Sequence, residues 1–309
     1  MNVRESIGYK FTLRQAQGER WLCRGLFKPA SFISRSLPRI DARYFQLAFL
    51  ICLLLFGALA RDFSLTGWQV LLAFTSAVAT QAFWQFFLQL PNRKNLQGYL
   101  SAFVTTCGLS ILVRSDVLWV HPALACLAMS SKFLFRFGSG MDRGHILNPA
   151  NLAAFSAFAW MPHAWLSPGQ WGQETLTALW MLALGAIVTR QVARWDVSLA
   201  FLTAWLGLLA LRLVWLGYVP HLAIEMWLHQ AMNGAIILFA FFMISDPMTT
   251  PQHRTARIAY ATCVAVTAFI WQYGLFHHQG PTVALFIWSF TVPLWNLTFR
   301  QARFDWRAG

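Results

Sequence analysis

Charge is what this 309-residue sequence lacks: only 11% of its residues are charged and only 11 are acidic. Soluble domains average about 25% charged residues, so an ordinary soluble enzyme is excluded. Acids this sparse offer no obvious acid/base pair. Neither Gly-x-Ser-x-Gly nor His-Glu-x-x-His occurs, which argues against hydrolysis. The five cysteines (Cys23, Cys52, Cys107, Cys126, Cys263) form no Cys-x-x-Cys pair, so no disulfide framework or zinc site is expected. An iron–sulfur cluster on Cys107 and Cys126 would need thiolates from elsewhere, since a cluster takes about four. A cleavable leader is not expected either, because a long polar stretch precedes the first apolar run and no small-residue cleavage pattern follows it. No catalytic residue and no metal ligand is assigned.

What the sequence has is apolar length. Hydrophobic residues make up 57%, with 27 Phe and 16 Trp, and the mean hydropathy is +0.49. A disordered chain is thereby excluded. Helical crossing of a bilayer takes about 20 apolar residues. Such runs fall at about 44–60, 66–90, 97–113, 117–135, 150–165, 175–190, 197–218, 222–245, 256–275 and 280–299. The fifth and sixth are short, and their Pro, Gly and Trp suit broken or re-entrant helices. The expected fold is all-α: a polytopic membrane protein of about ten helices in two five-helix halves. Residues 1–43 form a basic arm, 44–299 the membrane region and 300–309 a short tail. With the N-terminus inside, the inner segments carry nearly all of the 24 basic residues. The outer loops carry only Arg61 and Arg114, each closely followed by an acid, and Arg212 lies near a span end. This asymmetry places both termini on the cytoplasmic side. The net charge of +13 then reads as topology and attraction to anionic lipid, and no nucleic-acid motif accompanies it.

Ionisable groups inside spans are costly and mark sites by default. In the eighth run, His221, Glu225, His229 and Asn233 follow one another at four-residue intervals, along one helix face. They suit a polar cavity wall or a relay; the plainer reading leaves His221 and Glu225 in the headgroup region, with His229 and Asn233 bonding between helices. His121 and His229 could ligate haem from two helices, but two isolated histidines equally suit packing. Two proline motifs are more specific. Gly138-Ser-Gly140 leads through Gly144 to Asn148-Pro149-Ala150-Asn151, and Ser245-Asp246-Pro247 closes the eighth run. Asn148 and Asp246 can each cap a helix whose first residue is proline. Their prolines, 98 residues apart, hint at the two halves. A binding site at Gly138, Gly140, Asn148, Pro149, Asn151, Asp246 and Pro247 is expected, with His229, Asn233 and His121 contributing to a polar core.

At these motifs the sequence resembles the RnfD/NqrB membrane subunits of bacterial ion-translocating electron-transport complexes. The matching stretches are Lys132–Gly138 through Leu147–Asn151, Asn233–Pro247, Arg254–Tyr260 and Val292–Leu294, so the likeness covers roughly residues 45–298. It implies a multi-pass inner-membrane subunit beside other integral membrane redox subunits, binding flavin and coupling electron transfer to Na⁺ or H⁺ movement. Members with covalent FMN attach it to a Thr in a Ser-(Gly/Gln)-Ala-Thr type motif after the fifth span. Here Ala159–Thr175 holds no Ala-Thr pair, so no covalent FMN is expected and a noncovalent FMN or riboflavin near Gly138–Asn151 remains. The stretch Phe11–Arg20 resembles a translated intergenic repeat, which suggests a native start downstream of it.

Two other functions compete. Gly144-His-Ile-Leu-Asn-Pro-Ala150 also looks like the first half-helix of an aquaporin, although Asp-Pro-Met replaces the second Asn-Pro-Ala. A small-solute channel or transporter on a five-plus-five fold is one alternative. A structural or assembly subunit that has lost its catalytic parts is the other.

Overall fold

The computed structural model describes residues 41–60, 64–89, 96–138, 144–166, 174–302 and 304. The basic arm before residue 41, most of the C-terminal tail and Gly140 lie outside the described residues. Helices stand over every apolar run. They are α1 (Ala42–Ala60), α2 (Gly67–Phe87), α3 (Leu96–Leu112), α4 (Val120–Leu134), α5 (Pro149–Trp160), α6 (Thr175–Gln191) and α7 (Trp195–Trp215). Then follow α8 (Pro220–Ala231), α9 (Gly234–Leu238, continued by a π-helical turn Phe239–Met243), α10 (Arg254–Phe269, with a π turn Ile270–Gly274), α11 (Gly280–Ser289) and α12 (Val292–Thr298). Two short antiparallel ribbons interrupt them: β1 (Val113–Ser115) pairs with β4 (Ala164–Leu166), and β2 (Arg136–Phe137) with β3 (Gly144–His145).

The distribution of polarity is that of a membrane protein. Leu59 and Trp215 are 86% and 87% exposed, whereas Gln69, Gln81 and Gln85 of α2 are buried. Lipid solvates the outer Leu and Trp; a buried amide needs a protein acceptor, and Gln69 Nε2 donates to Ser115 O at 2.9 Å. Segments 43–60, 67–87 and 195–215 are each long and apolar enough to cross a bilayer alone. The pair α8 and α9 passes together, bent by 46°. Helix α5, with 12 residues, and α11, with 10, are half-length, so the fifth and tenth runs are not single full-length helices.

The helix pairings repeat. In the first half α1 packs on α3, α2 on α4 and α4 on α5; in the second α6 packs on α9, α7 on α10 and α10 on α11. Equivalent helices also meet across the halves, α1 with α6 and α5 with α11. Asn151 Nδ2 donates to Thr282 O at 3.2 Å, 131 residues away, and Phe155 stacks on Phe286 at 4.0 Å with the same separation. The two proline motifs are therefore not counterparts. Asn148 precedes the fifth helix of its half, while Asp246 follows the third helix of the other. Small residues make the close pairings possible: Ala73 and Ala77 of α2 lie in one buried cluster with Ala125 and Ala128 of α4. Ala261, Ala265 and Ala268 of α10 pack with Phe201 and Trp205 of α7.

Candidate functional site

Helix α5 begins where the sequence places a cap. Asn148 has extended backbone, Pro149 is the first helical residue, and Asn148 Oδ1 accepts from Asn151 N at 3.1 Å. Proline needs no hydrogen-bond acceptor there and its φ suits the helix. Asp246 behaves differently from expectation. Its Oδ1 accepts from Met248 N at 3.0 Å and its carbonyl from Thr250 Oγ1 at 3.0 Å, closing a turn. The next helix starts only at Arg254, with His253 as cap. Asp246 thus shapes a loop through short-range side-chain hydrogen bonds instead of starting a helix.

These two segments meet. Asn148 Nδ2 donates to Met243 O at 3.1 Å and towards Asp246 Oδ2 at 3.4 Å, and His145 Nε2 lies 4.0 Å from the same oxygen. The β2–β3 ribbon carries His145 into place opposite Arg136. Together they border a cavity of about 380 Å³, also lined by Lys132, Ser101, Thr105 and Phe241. Lys132, buried on α4, donates to Ser101 O (3.1 Å), Ser101 Oγ (2.9 Å) and Thr105 Oγ1 (2.9 Å) of α3. Burial holds the Asp246 carboxyl above its ordinary range, against hydrogen bonds from Met248 and Thr249 and the charges of Lys132 and Arg194 that pull it down.

A second cavity of about 180 Å³ occupies the corresponding place in the other half, at the start of α11. Its polar lining is uncharged or imidazole: Gln230, Asn233, Gln272, His278, Gln279 and Thr282. Pro281 lines it as Pro149 lines the first. The two cavities share Ile111, Leu112, Leu238 and Met243, four apolar side chains standing between them.

Of the expected site residues, Asn148, Pro149, Asp246 and Pro247 line the larger cavity. Gly138 follows β2 with φ +100°, a conformation natural for glycine. Asn151 turns away to Thr282. The polar core expected around His229, Asn233 and His121 is divided. The eighth run breaks at Met232–Asn233, so Asn233 leaves the His221–Glu225–His229 face, caps α9 by accepting from Ala235 N at 2.9 Å, and lines the smaller cavity. His229 borders a separate groove with Arg212 and Glu225. His121 is buried at the start of α4, its Nε2 3.3 Å from Val113 O, and borders none of these three spaces, so the haem pairing with His229 has no common site.

Several charged residues outside the two cavities' motifs are buried. Arg114 is wholly enclosed and donates to the Ser110, Ile111 and Val113 carbonyls, at the negative end of α3. Asp196 at the start of α7 binds Arg257 of α10, Nη2 at 2.6 Å and Nε at 3.1 Å. Beside them Arg194 Nη2 donates to Gln252 Oε1 at 2.8 Å; burial and the Arg257 charge bring its guanidinium down to about 10. Lys132 has a usable signal, being a cation within an apolar run. Asp196 has none, since a lone acid at a helix start is ordinary capping.

Residues 139–305 match the NQR2, RnfD, RnfE family, a span that takes in both Asn148 and Asp246. The chain belongs to this family. Named relatives of this NQR2/RnfD/RnfE member agree, each being the D component of an ion-translocating oxidoreductase complex. That of Escherichia fergusonii is 26% identical over 160 residues, covering 52% of this chain and 40% of that protein. That of Shigella boydii serotype 18 is 23% identical over 222 residues, covering 70% of the chain and 57% of the relative. The one from Escherichia coli O1:K1 is 28% identical over 162 residues, covering 52% and 40%. The chain spans about half the length of these relatives.

Proposed function

We propose that this chain is an RnfD-like membrane subunit of an ion-translocating electron-transport complex, in which it carries the route of the coupling ion. The supporting observation is the pair of cavities at equivalent places in the two halves, separated by Ile111, Leu112, Leu238 and Met243. Opposed cavities meeting at an apolar constriction suit alternating or gated passage, because a dry constriction blocks ions until it is wetted. Asp246 is the carboxylate of the larger cavity and would exchange a proton or monovalent cation there, with Ser101 and Thr105 adding oxygens. Lys132 and Arg136 line the same cavity and bring basic side chains near Asp246.

A noncovalent flavin, FMN or riboflavin, fits the larger cavity. Its volume lies in the ligand-pocket range of about 300–1,000 Å³, with Phe133 and Phe241 as ring surfaces and His145 and Asn148 as polar contacts. Bound there, it would supply one- and two-electron transfer, with Arg136 placing positive charge beside it and Lys132 a further N–H donor. No covalent FMN is proposed, as the acceptor motif is missing from Ala159–Thr175. In this reading all ten runs are inserted in a bacterial inner membrane with both termini cytoplasmic.

The test is the visible spectrum of the protein purified with its accompanying subunits, joined to cation uptake by inverted vesicles. Flavin absorbance that leaves with denaturation, and uptake driven by electron flow, support the proposal. A fluorescent band on a denaturing gel overturns the noncovalent assignment. Passage of an uncharged solute through liposomes containing this chain alone, blocked by an Asn148 substitution, would favour a solute channel built on the same two cavities.

A further inference from the structure

The Glu225–His229 face of helix α8 lies outside both cavities. None of the helix's 12 residues is buried, and Ile224 and Leu228 are 59% and 41% exposed. Its tie to α7 is Trp227 Nε1 donating to Leu206 O at 2.9 Å. Between α7, α8 and the π turn after α10 runs a groove of about 510 Å³, lined by Arg212, Glu225, His229, Gln230 and Tyr273. Arg212 is already engaged: Nη1 donates to Tyr273 O at 3.3 Å, and its guanidinium lies 5.2 Å from the Tyr273 ring. Among the described residues, neither Glu225 nor His229 has a hydrogen-bond or ion-pair partner.

Their depth makes this costly. Residues 220–243 form the bent pair that is apolar enough to cross the bilayer. At about 1.5 Å per residue, Glu225 lies roughly 7 Å and His229 roughly 13 Å from the start of α8. A lone carboxylate facing lipid at such a position costs up to several kcal/mol, and intramembrane acids are accordingly found paired. We infer that the Glu225–His229 face of α8 docks a membrane-embedded helix of another subunit, which presents a Lys or Arg side chain to Glu225.

Charge complementarity selects this occupant. The groove's own cation, Arg212, is drawn to Tyr273 and makes no ion pair with Glu225 among the described residues, so the groove has room for a further positive charge beside Glu225. A second copy of the chain would bring only another Glu225 and an Arg212 already committed. A headgroup amine sits at the interface, whereas the groove runs past Glu225 to His229, deeper along a face that another helix can follow. The inference rests on the chain being one subunit of an assembly.

The experiment places a photo-cross-linking amino acid at Leu228 of the full chain in its own membranes, with Leu59 on α1 as the control position. Irradiation is expected to join residue 228, and not residue 59, to a transmembrane segment of another polypeptide that contains Lys or Arg. Glu225→Lys should abolish that adduct, and Glu225→Gln, which keeps the volume, should reduce it about tenfold, the loss of one charge-assisted contact of about 1.4 kcal/mol. The thermal melt of the Gln variant should match the unsubstituted chain. Adducts with lipid only, with a second copy, or undiminished by either substitution overturn the inference. If other subunits purify with the chain but residue 228 reaches none of them, docking at α8 fails and the proposed function stands. If no subunit accompanies the chain at all, the proposed function fails first.

Discussion

The side-chain amide of Asn148 spans two chain segments 98 residues apart: Nδ2 reaches Asp246 Oδ2 at 3.4 Å while Oδ1 caps α5. One side chain therefore fixes a helix start and a cavity wall together. Asn148→Ala loses the cap, worth about 1 kcal/mol, and leaves the Met243 carbonyl and the Asp246 carboxylate without this donor. A lowered melting temperature is expected. Asn148→Asp retains a cap acceptor but sets a second buried carboxylate against Asp246, so at neutral pH it should lose more stability and more ion uptake than Ala. Melting curves and vesicle uptake on the same two variants check that ordering.

Asp246 also predicts a pH dependence. Its carboxyl is raised in the folded protein, chiefly by burial, so the neutral form is the one the fold favours. The stabilisation is fully present below the ordinary carboxylate pKa and is lost as pH rises through the raised value. Asp246→Asn cannot ionise, and its melting temperature should fall less than the unsubstituted chain's between acidic and neutral pH. Parallel slopes for the two proteins would contradict the assignment of that dependence to Asp246.

The constriction between the cavities makes a separate prediction. Ile111, Leu112, Leu238 and Met243 border both cavities with apolar side chains, and a dewetted gap closes an ion route without moving parts. Leu238→Ser shortens the side chain and adds a hydroxyl, which should wet the gap. Proteoliposomes carrying the variant should leak cations passively, where the unsubstituted chain holds a gradient. Equal leak rates would place the route elsewhere.

The apolar runs make the presence of helices legible, because backbone in lipid must satisfy its own hydrogen bonds; the breaks in the fifth, eighth and tenth runs are set by packing and are not. Asn148-Pro149 is legible for a local reason: cap and proline lie in adjacent residues. Asp246-Pro247 looks the same and acts otherwise, since the Asx-type turn at Met248 and Thr250 competes with a cap and only the fold decides. The spacing of the two prolines hints at two halves but misstates their offset, because those prolines are not equivalent. Helix pairing, and the contacts of Asn151 with Thr282 and Phe155 with Phe286, give the true one. Burial of Arg114 and Asp196 is a tertiary fact with no local signature. The break at Asn233 removes that residue from the face on which regular four-residue spacing would put it.

Gly185 tests the packing that holds the second half together. A Cβ built there would meet Phe241 Cβ and Cγ at 2.7 Å, within the contact of α6 with the π turn that leads to Asp246. Phe241 also lines the larger cavity. Gly185→Ala should destabilise by about 1–3 kcal/mol through overpacking, and should lower flavin retention if the displaced ring narrows the cavity. A melt unchanged from the unsubstituted chain would show that α6 shifts freely there.

The Asp196–Arg257 pair bears on how α7 and α10 are fixed against each other. Both side chains are nearly enclosed, and Asp196 Oδ2 receives two of the guanidinium's donors. Removing Asp196 leaves the Arg257 guanidinium buried without its carboxylate, which costs about 3–5 kcal/mol; removing Arg257 leaves Asp196 only the exposed Arg254, Nε 3.8 Å away, and costs somewhat less. Asp196→Ala and Arg257→Met should each lower the melting temperature strongly. The double substitution should recover much of the loss, because it removes both charges of the pair and apolar groups can fill the space. Additive losses in the double variant would mean that each residue acts through other contacts, Arg257 through the Gln252 carbonyl and Asp196 through the Val197 amide, rather than through the pair.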